Sequence, residues 1–61
     1  MISTTYDADA DAIYVRLAAR NVAETRELEP GLILDLDSGG RIVGVEILNV
    51  RARAGEGAVA A

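Results

Sequence analysis

The sequence predicts a mainly β fold, at the border of α+β: a small antiparallel sheet of about five strands in a hairpin meander. Three observations lead there. Apolar side chains recur at a period of two in several short runs, the spacing of half-buried strands. Turn residues separate those runs, with Glu29, Pro30 and Gly31 after the third and Ser38, Gly39 and Gly40 after the fourth. And 61 residues that are 51% hydrophobic and carry a net charge of −4 have enough apolar surface to fold and too little charge to stay unfolded.

The elements follow in order. Residues 2–6 are rich in β-branched side chains and form a first strand. Next comes "DADAD", where the Asp7 carboxylate can cap one helical turn over residues 7–11. Residues 12–18 alternate, with Ile13, Val15 and Leu17 facing one way and Tyr14 and Arg16 the other. Residues 22–28 read as a return strand after a short loop at Ala19, Arg20 and Asn21. That register sets Arg16 opposite Glu24 and Tyr14 opposite Arg26, both favourable pairs. After the turn at Pro30 and Gly31, residues 32–37 and 41–49 make the clearest hairpin. If Leu32, Leu34 and Leu36 share a face with Val43, Val45 and Ile47, a two-residue Ser38-Gly39 turn closes it, with Leu34 opposite Val43 and Leu32 opposite Val45. Asn49 then caps a short C-terminal helix over "VRARA" ended by Gly55. The expected organisation is one domain over residues 1–54 with a frayed tail over 55–61.

Composition removes many chemistries. The chain has no His, Cys, Trp or Phe, and all six of its basic residues are Arg. Imidazole and amine bases, disulfides, Schiff-base chemistry, the P-loop lysine and N- or S-ligands for zinc are therefore excluded. Ten acidic residues against those six arginines disfavour nucleic acid as a partner. No apolar run reaches the roughly 18 residues of a membrane span, and the N-terminus lacks a signal pattern, so a cytoplasmic protein without a membrane partner is expected.

Two acidic constellations remain. Asp7, Asp9 and Asp11 have the opening spacing of a calcium loop, but its sixth position would be Ala12 and its twelfth Ala18. The segment "DLDSGGRIVGVE" comes closer, with Asp35, Asp37, Gly40 and Glu46 at matching positions. Period-two alternation on both sides makes it an acid-flanked hairpin instead, which strings those carboxylates along a ladder. No cofactor, metal or catalytic residue is expected. Asp35, Asp37 and Glu46 are the set that an alternative reading, a small metal-assisted enzyme, would use.

The segments "YDADADAIYVRLA" and "VAETRELEPGLILDLDSGGRIVGVEIL" and their spacing resemble a small bacterial family, domain of unknown function 2283. The resemblance implies a fold and no activity. Relatives often carry Pro-Glu after the first Asp, where this chain has Ala8 and Asp9, and a Ser-Lys-Arg helix where it has "VRARAG". Some relatives look like partners of small toxin-like proteins, which implies an antitoxin-like role with a basic protein partner.

The function expected is that of a small acidic, oligomeric, non-catalytic interaction module. A domain of this length buries only about 60% of its unfolded surface, so association is a natural supplement. By parity Tyr14, Ile33, Ile42 and Leu48 lie opposite the core face. They are the expected homodimer interface.

Overall fold

The period-two runs do form strands, and the computed structural model, which describes residues 2–57, assembles them into a five-stranded antiparallel sheet. The strands are β1 (Ser3–Asp7), β2 (Ala12–Arg16), β3 (Glu24–Glu29), β4 (Leu32–Leu36) and β5 (Ile42–Leu48), followed by helix α1 (Val50–Gly57). Their order across the sheet is β1-β2-β5-β4-β3. The domain is thus mostly β with a short C-terminal helix, as expected, but it is not a simple meander.

The difference lies at β3. Strand β2 pairs with β5 and β3 with β4, so the expected contacts of Arg16 with Glu24 and of Tyr14 with Arg26 do not form. The chain leaves β2, passes the ends of β5 and β4, and enters the sheet again at its far edge. Composition explains why. Strand β3 carries Glu24, Arg26, Glu27 and Glu29 and is exposed throughout, which suits an edge, where charges deter pairing with other chains. Strand β5 carries Ile42, Val43, Val45, Ile47 and Leu48 and takes the centre, between β2 and β4.

Residues 17–23 make the crossing as a strap. The amides of Leu17 and Ala18 both donate to the Val43 carbonyl, at 2.8 and 3.2 Å, and the Ala23 amide donates to the Leu36 carbonyl at 2.8 Å. Arg20 clasps the strap to the second hairpin, its Nε donating to Asp37 Oδ2 at 2.6 Å and its Nη2 to the Ile42 carbonyl at 3.3 Å.

That hairpin departs from the expected geometry in an instructive way. Ser38 and Gly39 are the central residues of a turn closed by the Gly40 amide on the Asp37 carbonyl at 3.0 Å. The Asp37 amide, however, bonds the Arg41 carbonyl at 2.9 Å, so the loop has three residues and Gly40 sits at φ +81°. An odd loop should invert one strand's faces. A bulge corrects it: Leu36 pairs with Ile42 and Asp35 with Gly44, which leaves Val43 as the extra residue. Beyond the bulge Leu34 faces Val45 and Leu32 faces Ile47, not Val43 and Val45 as the two-residue turn required. The apolar faces still match, because the two odd steps cancel.

Turns elsewhere follow their residue chemistry. Pro30 and Gly31 form the two-residue turn from β3 to β4, with Gly31 at φ +84°. Asp7 Oδ1 accepts the amides of Asp9 and Ala10 at 3.0 and 3.2 Å. The segment it caps, residues 8–11, is a turn joining β1 to β2 and not a turn of helix. Helix α1 starts after Asn49, whose carbonyl accepts the Arg53 amide at 3.0 Å while its own φ is +56°. The capping carboxylate comes from the other hairpin: Asp11 accepts the Arg51 amide on both oxygens, at 3.2 Å each. The helix runs through Gly55 to Gly57 instead of stopping there, and the rest of the expected tail, 58–61, lies outside the described residues.

The core sits at one end of the sheet. Among the described residues the buried large apolar side chains are Val43, at 0% exposure, and Leu36, at 5%, both under the strap. Ile13, Val15, Leu32, Leu34, Val45 and Ile47 do share one face, as parity predicts, but all six are only half-buried. Leu17, expected with them, lies beyond the end of β2 and is 40% exposed. Every substantial contact between described elements joins neighbouring strands, so among the described residues no second layer of secondary structure packs on this face.

Candidate functional site

The two faces of the sheet differ in chemistry, and register assigns each residue. Cross-strand rows on the apolar face run Thr4, Val15, Val45, Leu34, Arg26 and Tyr6, Ile13, Ile47, Leu32, Glu29. The opposite, polar face has rows Thr5, Tyr14, Glu46, Ile33, Glu27 and Ser3, Arg16, Gly44, Asp35, Thr25. Asp7, Ala12 and Leu48 continue the polar face toward α1.

The four residues expected at an interface do not make one patch. Tyr14 and Ile33 flank Glu46 on the polar face, with Leu48 one row away. Ile42 is separated from them. The bulge pairs it with Leu36, at the strap end of the sheet, where it is 41% exposed. Simple parity counting from Leu48 back to Ile42 fails because Val43 is an extra residue in β5.

Tyr14 has a further role that no pattern in the sequence announces. Its ring lies over Gly44: a Cβ placed on that glycine would sit within 2.7 Å of the Tyr14 ring carbon bearing the hydroxyl. Its hydroxyl donates to Asp35 Oδ2 at 2.8 Å, and Thr25 Oγ1 donates to Asp35 Oδ1 at 3.0 Å. The hydrogen bond to Asp35, with smaller contributions from burial and from the carboxylate's charge, raises the Tyr14 pKa above the ordinary tyrosine value. The one available signal is a glycine inside an apolar strand, which marks close approach of another group.

The carboxylates of the alternative enzyme reading have separate surroundings. Asp35 is held by Tyr14 and Thr25 on the polar face. Asp37 is buried in the hairpin loop, where it accepts the amides of Gly39 and Arg41 at 2.9 Å each and pairs with Arg20 and Arg41. The Arg41 amide leads the contributions that lower the Asp37 pKa, with the Gly39 amide and the two guanidiniums adding to it against the opposing effect of burial. Such a group is an acceptor at the centre of a loop. It is not poised to exchange protons.

Glu46 lies beside Tyr14 in a shallow cleft of about 330 Å³ lined also by Thr5, Asp7, Ala10, Ala12 and Leu48. Its polar side chains are the carboxylates of Asp7 and Glu46 and the hydroxyls of Thr5 and Tyr14, the last of which is already bonded to Asp35. Among the described residues, no three acidic side chains come together to hold a metal ion. Nor is any described helix long and apolar enough to cross a membrane.

Comparisons with curated proteins and with solved structures find no match to this chain. One family does match, over residues 3–51, from the first residue of β1 to the start of α1 and so across the whole sheet. The chain belongs to the family described as protein of unknown function (DUF2283).

Proposed function

We propose that this protein is a non-catalytic interaction module that works as a homodimer in the cytoplasm. One observation carries the reading: six apolar side chains share a sheet face that no described element covers. An open sheet with such a stripe is stable when another surface completes it, and two-fold self-association is the commonest way proteins achieve that. The acidic balance, ten carboxylates to six arginines, suits a basic protein as the further partner of the dimer, in the manner of an antitoxin. Sedimentation equilibrium at micromolar concentration tests the self-association. A dimer is expected, and a stable, folded monomer would refute it.

The enzyme reading is less favoured because Asp35, Asp37 and Glu46 do not converge and two of them already serve structural partners. Millimolar calcium or magnesium should leave the melting temperature unchanged, since a ligand stabilises only what it binds. A rise of several degrees would restore that reading.

A further inference from the structure

We infer that the two copies meet through the apolar face, so that the layer between two stacked sheets is the main core of the assembly. This rests on the self-association proposed above and specifies which surface performs it.

Area supports it first. The chain exposes 4447 Å², whereas a folded monomer of its mass, 6.4 kDa, exposes about 3800 Å². The molecule is extended as well: its radius of gyration is 12.6 Å, against about 10.5 Å for a compact domain of this length. A sheet that lacks its second layer contributes to both, alongside helix α1, which makes no substantial contact with any strand.

Charge then chooses between the faces. On the rows that cross the apolar face from Thr4 and through Leu36, the charged residues are Arg26 and Glu24, and these bond each other at 2.8 Å. Glu29, past the bulge in β3, pairs with Leu32 and ends the Tyr6 row of the same face. The face therefore carries Glu24 and Glu29 against Arg26, a net −1 with two of the three charges already paired. The polar face carries Asp7, Glu27, Asp35 and Glu46 against Arg16 alone, so two copies brought together there would oppose like charges. Its largest apolar group, the Tyr14 ring, already covers Gly44.

Geometry agrees. Two sheets packed face to face stand about 10 Å apart, a gap filled by one layer of side chains from each. The β-branched and γ-branched aliphatic residues of β2, β4 and β5 are of the size that fills it. Edge-to-edge pairing is disfavoured at β3 by its charges, which leaves β1 as the edge that could compete.

The test mixes isotope-labelled and unlabelled copies of the wild-type protein and records contacts that cross between them by filtered NOE spectroscopy. Methyl groups of Val15, Leu34 and Val45 are expected to show intermolecular contacts. Contacts from Ile33 and Leu48, or backbone pairing along β1, would overturn the assignment of this face while leaving self-association intact. A wild-type protein that stays monomeric would overturn both. Two variants provide a second readout: Leu34→Glu should weaken the dimer by about 100-fold or more, because it places a charge in the dry layer. Ile33→Thr, one residue away and on the opposite face, keeps a β-branched side chain, adds no charge beside Glu27 and Glu46, and should weaken the dimer far less than Leu34→Glu. The reverse ranking would contradict the inference.

Discussion

Asp37 shows what one residue can do in a domain this small. Its carboxylate accepts two loop amides and pairs with the strap's Arg20, so a single side chain holds both the hairpin loop and the crossing segment in place. Those contacts make its folded pKa lower than its unfolded one. The stability it contributes is therefore present above the ordinary carboxylate range and is lost as pH falls through the lowered folded value. Asp37→Asn should melt below the wild type at neutral pH, with the gap closing in strongly acid solution; thermal melts across that range check it. Gly44 is the second decisive residue. Its Cβ would meet the Tyr14 ring and approach the Val15 carbonyl to 3.1 Å, so Gly44→Ala should destabilise the fold by about 1–3 kcal/mol, measurable by urea unfolding. The Asp37 loop could be placed from the sequence because "DSGG" is turn chemistry. The Tyr14–Gly44 contact could not, since it depends on which strand becomes the neighbour of β2.

At the scale of elements, the β4–β5 hairpin shows how parity can survive a different register. Face assignments for Leu32, Leu34, Val45 and Ile47 are legible in the sequence, because alternation has a period of two and any even shift preserves it. The three-residue loop and the Val43 bulge are not, because each is one odd step and the sequence displays only their sum. The loop depends on Gly40 at φ +81°, where a Cβ would meet no atom within 4 Å and so no clash. Gly40→Ala should therefore cost about 1–2 kcal/mol from backbone strain alone, while Gly39→Ala should stay within about 0.5 kcal/mol. Paired chemical-denaturation curves distinguish them, and equal effects would show that the loop does not use the left-handed conformation. The β2–β3 connection escapes local reading for a different reason. Arg16 with Glu24 and Tyr14 with Arg26 are locally sensible pairs, but they would place the charged β3 inside the sheet and leave the apolar β5 at an edge. Whole-strand composition outweighs two surface pairs worth roughly 0.2–1 kcal/mol each. The same non-local logic supplies the cap of α1, which comes from Asp11, distant in sequence, and not from the side chain of Asn49.

For the whole molecule, the apolar inventory motivates the association we propose, and the structure adds which face of the sheet no described element covers. The buried large apolar side chains, Val43 and Leu36, lie at the strap end, while the broad middle of the sheet has no second layer over it among the described residues. If another copy supplies that layer, folding and assembly are one equilibrium, and stability depends on protein concentration. The concentration dependence of the melting temperature tests this most directly. For coupled folding and dimerisation, a hundredfold rise in concentration adds about 2.7 kcal/mol and should raise the midpoint by roughly ten degrees. A midpoint that stays constant across that range would show that the sheet is stable with its apolar face bare.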